Sequence, residues 1–388
     1  MNCVISEISD IGEFLAIEQE WNELLAESHC NIPFLRHEWL RIWWQHFGPP
    51  NRLAVMVGRK GSQLVFAVPL MEVKDSHAGI PLTILQSLTN QHSFRFNFIV
   101  RRGEESKMED FWRYLRQRRR KWHLLLLQEV PSDTPVWQLA IDTAQRHAYP
   151  VGVWEAFDSP YLTIDGRWDA YIGTRSRSLV KSLNRAERKL ADAAGGISHE
   201  LNGGDGWDPA AFAEALEIES RGWKGERGTA IASDLNLTSF YTTWAQTAAD
   251  LGWLRLSFLK ADGTRVAFEF ATEYAGHFYA MKASYDPAFR QYSPGQILCR
   301  EILKSCFEHG IVEYDFLGQV SKDKTRWTTQ VRKHGWIYVY NESLLSRVHR
   351  FLNFSIKPRL KRWLKRTPNQ QDGEQVKEQP ASVPADAH

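Results

Sequence analysis

Residues 277–336 constrain the fold of this chain more than any other stretch. Tyr279, Met281 and Ala283 alternate with Phe278, Ala280 and Lys282, the period-2 pattern of a strand, and Asp286-Pro287 closes it. A polar loop follows through Arg290, Gln291 and Tyr292. Ser293-Pro294-Gly295 then has the form of a helix start, with serine as N-cap and proline at the first helical position. Leu298, Ile302 and Cys306 recur at i+4 spacing, and Gly310 ends the helix. Val312, Tyr314 and Phe316 alternate with Glu313 and Asp315 in a second strand that closes at Gly318. Strand, glycine-bearing loop, helix and strand bring a helix N-terminus to the mouth of a sheet. Unpaired N–H groups there, helped by the helix dipole, favour a phosphate or pyrophosphate.

The rest of the chain supplies a sheet and helices for that unit. Phe14, Ile17, Trp21, Leu24 and Leu25 lie at helical spacing, and Trp39 to Phe47 form an aromatic helix ending at Gly48-Pro49-Pro50. Leu53–Val57 and Leu64–Val73 pattern as two strands joined through Gly58–Gly61, Trp122–Gln128 as an apolar strand, and Ala140–His147 as a helix. From about Asp165 the chain starts again. A basic helix carries Arg175, Arg177, Lys181, Arg185, Arg188 and Lys189 and ends at Gly195-Gly196. A second helix, capped by Asp208-Pro209, runs to the Glu219-Ser220-Arg221-Gly222-Trp223-Lys224-Gly225 turn, and a third holds Phe240, Trp244 and Leu251. Leu254–Phe258 and Val266–Phe270 form a hairpin across Asp262-Gly263, and a turn at Ala275-Gly276 leads into the central stretch.

Composition narrows the class. The chain has 388 residues, 43% hydrophobic and 24% charged, long enough for two domains. Its 48 Lys and Arg against 46 Asp and Glu leave +2, so no global field draws DNA and any basic effect is local. The 4 cysteines show no paired spacing, which argues against a disulfide framework or a zinc site and fits a reducing cytoplasm. No basic stretch followed by an apolar one opens the chain, so no signal peptide is expected. GxSxG, HExxH, Walker and GxGxxG motifs are absent from the sequence.

The string Lys282-Ala283-Ser284-Tyr285-Asp286, the Ser293-Pro294-Gly295 turn, Tyr314-Asp315-Phe316, and Gly318 followed by Lys324-x-x-Trp327 together resemble the GNAT superfamily of acyltransferases. Within it they look like the CelD-like group named for acetyltransferases of cellulose biosynthesis, with Fem-type peptidoglycan aminoacyltransferases as more distant relatives. The similarity runs from about Tyr171 to Trp336. It implies an α/β chain of two tandem GNAT-like domains, each a mixed, mostly antiparallel sheet flanked by helices, plus a basic C-terminal tail. Residues 1–165 are expected to be a degenerate copy without a phosphate loop. Residues 166–345 would be the acyltransferase domain, 346–366 a basic amphipathic segment and 367–388 a disordered tail.

By the same resemblance, acyl-CoA, acetyl-CoA first, is the co-substrate, with no metal. Arg290, Gln291, Ser293, Gly295 and Gln296 occupy the pyrophosphate turn, although the second glycine of the family motif is missing, and Lys282 lies on the donor strand. Acyl transfer needs a base for the nucleophile and stabilisation of the oxyanion. Glu269, on the face of its strand opposite Val266, Phe268 and Phe270, is the base candidate, and Glu219 the alternative. The bland reading of Glu269 is a solvated strand face or a salt bridge to Arg265 or Lys282. Lys324 is expected near the oxyanion, with Lys322 a close competitor, and Asp315 would orient a cation or the acceptor. For both lysines the plain alternative is a surface side chain.

The acceptor is expected to be a small molecule or glycan with an amine or hydroxyl, in polysaccharide or cell-envelope biosynthesis. A Fem-type aminoacyl transfer, with tRNA held by the basic helix 175–189, and a non-catalytic binding module are the other readings. Arg113, Arg116 and Arg118–Lys121 form a further basic cluster, read as a solvated face. Ser346–Arg366 carries eight Lys and Arg, no acid and several apolar residues, a composition suited to an anionic membrane surface at the cytoplasmic side, although Pro358 is expected to break any long helix.

Overall fold

The computed structural model describes residues 3–77, 79–203, 206–222, 228 and 230–359. The expected Trp223-Lys224-Gly225 turn, residues 360–366 of the basic segment, and the tail at 367–388 lie outside the described residues. The chain divides into two compact units, one running to Phe157 and resuming at Lys333, the other spanning Asp158–Arg332. This differs from the expected division at 165/166 and 345/346, because a strand after Arg332 carries the chain back into the first unit.

In chain order the first unit contains β1 (Val4–Ile8), α1 (Ile11–Leu15), α2 (Glu18–Ala26), α3 (His37–Phe47), β2 (Arg52–Leu53), β3 (Val55–Lys60), β4 (Gln63–Val68), β5 (Leu70–His77), β6 (Ile80–Ser87), β7 (Ile99–Val100), α4 (Lys107–Gln117), β8 (Leu124–Pro131) and α5 (Pro135–Arg146). β9 (Val151–Thr163) leads into the second unit. There follow α6 (Trp168–Gly173), α7 (Arg177–Ala194), β10 (Ile197–Gly203), α8 (Pro209–Arg221), α9 (Leu235–Asp250), β11 (Leu254–Ala261), β12 (Thr264–Tyr274), β13 (His277–Tyr285), α10 (Pro294–Glu308), β14 (Glu313–Asp315) and α11 (Lys322–Thr325). β15 (Val331–Tyr340) and α12 (Leu344–Phe351) complete the first unit.

Two sheets build the first unit, in the orders β1-β3-β4-β7 and β15-β8-β6-β5-β2. The single strand expected at Leu64–Val73 is two strands in different sheets. Pro69 separates them, since it has no N–H for a ladder bond. Phe14, Trp21, Leu24 and Leu25 are buried, as their helical spacing predicts. β6 and β8 run parallel from Ile84/Leu124 to Gln86/Leu126. Beyond that, Gln128 donates its N–H to Ser87 Oγ (3.1 Å) and Phe96 donates its N–H to the Glu129 carbonyl (3.0 Å). The segment after β6 therefore bonds to β8 where the two strands part.

β15 is the element the sequence reading missed. Trp336, Tyr338 and Tyr340 are buried and pack with Leu82, Ile84, Leu124 and Leu126. Past α12 the helical path takes a π turn over Leu352–Ile356 and continues to Arg359, so Pro358 does not break it. Lys357 donates its N–H to the Leu352 carbonyl, a wider turn of the kind that accommodates a proline ring.

In the second unit the strands run β10-β11-β12-β13-β14, antiparallel except for β13 and β14, with Tyr161–Thr163 of β9 on the far edge of β14. α10 and α7 cover one face, where Leu179, Leu183, Leu259, Ala267, Ile297, Leu298 and Tyr314 form the core. α8 and α9 cover the other: Phe212 and Tyr241 meet the Phe270 ring edge-on, and the Trp244 indole N–H bonds to Thr272 Oγ1 (3.2 Å). This is the mixed, mostly antiparallel α/β architecture expected.

Candidate functional site

β13 and β14 pair over three residues, His277/Glu313, Phe278/Tyr314 and Tyr279/Asp315. Two features end the pairing. Met281 is an extra residue in β13, since Phe270 on β12 faces Lys282 while Ala271 faces Ala280, and such a bulge bends its strand. β14 meanwhile turns away through Leu317 and Gly318, both at positive φ (48° and 55°). The Asp315 carboxylate holds that turn by accepting the Leu317 N–H at 2.9 Å. Past Tyr279, among the described residues, no strand pairs with the edge of β13 on that side.

Glu269 of β12 sits next to this opening, buried, and accepts the Tyr314 hydroxyl at 2.5 Å. Burial pushes its carboxyl up to about 7, against the Tyr314 hydrogen bond and the Lys324 charge, which both pull it down. Its cross-strand neighbour on β13 is Ala283, a small side chain that is itself exposed. The solvated face and the ion pair with Arg265 or Lys282 are both excluded as its setting. Arg265 pairs with Glu200 (2.7 Å) and Glu214 (3.0 Å), and α10 covers the face that Glu269 occupies.

The structure separates the other candidates. Lys324 is near enough for its charge to act on Glu269, and its ammonium donates to the Leu317 (2.5 Å) and Gln319 (3.1 Å) carbonyls. Those two bonds make it a clip on the turn after β14. Asp315, on the opposite face of β14 from Tyr314, is buried against Arg332 (3.0 Å), whose guanidinium also reaches Glu313 (2.9 Å) and lies 4.3 Å over the Tyr161 ring. Of the two partners expected for Asp315, a cation or the acceptor, the structure supplies the cation, Arg332. Glu219 is buried at the end of α8 and accepts the Ile231 N–H at 2.9 Å. Lys282 lies on that same α8–α9 face, its ammonium 5.0 Å over the Tyr241 ring. Burial pushes its amine down and the Glu219 charge pulls it back up. Glu269 and Lys324 therefore come together, whereas Glu219 and Lys282 form a second group across the sheet.

The helix start also departs from expectation. Residues Pro287–Tyr292 form a 3-10 helix in place of a polar loop. Ser293 is the N-cap of α10 at φ 50°, ψ 49°, and caps through backbone and not hydroxyl: its carbonyl accepts the Gln296 and Ile297 N–H groups (3.0 and 3.2 Å). Its own N–H goes to the Arg290 carbonyl (3.1 Å) and Pro294 has none, which leaves Gly295 with a first-turn amide that no backbone carbonyl takes up among the described residues. Arg290 and Gln291 are exposed beside it. Gln296 is committed, its side-chain oxygen accepting the indole N–H of buried Trp327 at 3.1 Å. A methyl at Gly295 would lie 3.5 Å from the Tyr285 ring, an ordinary contact, so protein packing alone does not demand glycine there. For the diphosphate of acyl-CoA the fit is one amide, a helix dipole and one arginine, a smaller cradle than expected.

That arrangement, a parallel strand pair parting in front of a helix N-terminus, sits inside a recognised region. Residues 177–325 match the acetyltransferase (GNAT) domain. No curated protein matches the chain. Among solved structures, the chain is similar to FemX at 12% identity and a TM-score of 0.58, with 89% of this chain and 99% of that one covered. L-PGS from Bacillus licheniformis aligns at 11% identity and 0.51, over 91% and 99% of the two chains. A protein of unknown function from Bacteroides thetaiotaomicron aligns at 11% and 0.53, over 87% and 100%. At these identities the likeness is one of fold. The GNAT region includes Glu269, Lys282, Ser293, Gly295, Tyr314 and Lys324, and ends before Trp327 and Arg332. Tyr314, Trp327 and Arg332 are the site residues that sequence reasoning did not assign. Their rows and spacing were readable, but each bonds to a partner between 17 and 45 positions away.

Proposed function

We propose that the chain is a GNAT-type acyltransferase that moves an acyl group from acyl-CoA, acetyl-CoA first, to an amine or hydroxyl of a sugar or polysaccharide precursor. The observation that carries this reading is Glu269, a buried carboxyl raised to about 7 beside a strand edge that has just lost its partner. Acyl-CoA supplies the activated acyl group. Backbone groups along the open edge of β13 hold its pantetheine arm, while the Gly295 amide and Arg290 meet its diphosphate. Glu269 takes the proton that the acceptor sheds as it bonds to the acyl carbon, directly or across the Tyr314 hydroxyl, and the thiolate leaves. Lys324 fixes the turn after β14 and keeps Glu269 partly ionised at neutral pH.

The second reading is Fem-type, an aminoacyl-tRNA-dependent transfer to a cell-wall precursor. It is favoured by α7, where Arg177, Lys181, Arg185, Arg188 and Lys189 are all exposed, whereas Arg175 is used internally against the Trp327 carbonyl (2.7 Å). Thermal shift of the full chain separates the two. Acetyl-CoA at a hundredfold its dissociation constant should stabilise by about 2.7 kcal/mol. No shift with acetyl-CoA, longer acyl-CoAs or free CoA would remove the acyl-CoA reading and leave the tRNA one standing.

A further inference from the structure

α12 is built inside out. Its buried side is polar: Ser346 Oγ donates to the His123 carbonyl (2.8 Å), His349 Nδ1 shares a hydrogen bond with the Tyr340 hydroxyl (3.1 Å), and Asn353 is buried just beyond. Its solvent side is apolar, with Leu344 74%, Leu345 37%, Val348 41% and Phe351 56% exposed. These four fall at i, i+1, i+4 and i+7, one stripe along the helix. Arg347 and Arg350 flank the stripe, both exposed and, among the described residues, in no ion pair. Glu342, the acid nearest in sequence, is paired with Arg116. Hydrogen bonds to β15 and to the backbone at His123 fix the helix about its axis, so the stripe cannot roll inward without breaking them.

We propose that α12 docks this stripe on an anionic lipid bilayer, lying in the interface with Leu344, Val348 and Phe351 among the acyl chains and Arg347 and Arg350 against the headgroups. The charge pattern selects this occupant. A self-association face would bring these arginines against each other, whereas an anionic surface neutralises them. The basic character continues through Lys357 and Arg359 and, in the sequence, to Arg366 with no acid. No helix among the described residues is long and apolar enough to cross a membrane, so the attachment is peripheral.

The test is co-sedimentation of the full chain with vesicles of phosphatidylcholine alone or with a third phosphatidylglycerol, at physiological salt. Binding to the mixed vesicles at least tenfold above the neutral ones, with a tenfold loss in the Leu344→Glu/Phe351→Glu pair, supports the proposal. Both positions are exposed, and an unchanged circular dichroism spectrum checks the fold. Three outcomes of the vesicle assay overturn it. These are equal binding to both vesicles, binding to neither, and anionic binding that the pair of substitutions leaves intact, which would assign the effect to the basic residues after Arg359. A concentration-dependent dimer that the same pair abolishes would assign the stripe to a second copy and also overturn it.

Discussion

Glu129 and Glu269 are buried carboxyls, one in each unit, and both are pushed up to about 7 by burial. Glu129 also has a positive φ of 56° and, besides the Trp336 indole N–H at 3.1 Å, its second oxygen has no partner among the described residues. A carboxyl raised on folding favours the native state below its unfolded value near 4.5, and that advantage is lost as pH climbs through 7. A shift of this size corresponds to about 3 kcal/mol for each. Melting of the wild type should therefore move to lower temperature between pH 5 and 8, and Glu129→Gln should flatten that slope. Glu269→Gln should cut turnover about a hundredfold or more while acyl-CoA still raises the melting temperature, and the rising limb of the pH–rate profile near 7 should vanish. Unchanged turnover would remove Glu269 as base. Sequence alternation placed Glu269 opposite the Phe268 and Phe270 row, but a strand pattern does not say what lies over each face. That α10 covers this face, and that Tyr314 reaches it, are facts of tertiary packing.

At the scale of elements, the start of α10 sets two effects against each other. Gly295→Ala should raise the melting temperature slightly, since alanine is better than glycine in a helix by roughly 1 kcal/mol and the methyl meets no clash. If a diphosphate lies against that amide, the same change weakens acyl-CoA binding. Equal affinity in both proteins would refute the cradle. β14 depends on a buried charge group. Removing the guanidinium in Arg332→Ala leaves Asp315 and Glu313 without their cation and should cost about 3–5 kcal/mol, read by denaturant titration. Helix positions were legible because their apolar spacing is local: α2, α3, α7 and α10 fall where periodicity placed them. The left-handed Ser293 cap was not, as serine is ordinarily a side-chain cap, and neither was the break at Pro69, which an unbroken apolar row concealed.

For the whole molecule, the decisive fact is that the first unit is discontinuous. Ending the chain at Arg332 removes β15 and α12, and with them Trp336, Tyr338 and Tyr340 from the packing on Leu124 and Leu126. Limited proteolysis of such a truncation should digest the first unit and spare a fragment near 158–332. Survival of both units would contradict the packing. The paired architecture and its mixed sheets were readable from the order of strand and helix patterns. The return of the chain was not, because Val331–Tyr340 reads as the tail of the preceding unit until its partners in β8 are known.

Gly152 has a Phe354 ring atom 2.3 Å from where a Cβ would stand, so that ring closes over bare backbone. Both the ring and β15 are translated after the whole second unit. On the ribosome, the half that emerges first must wait, with Leu124 and Leu126 uncovered, while some 175 residues are polymerised. Mistakes in its maturation should thus depend on elongation speed and on chaperones that shield nascent strands.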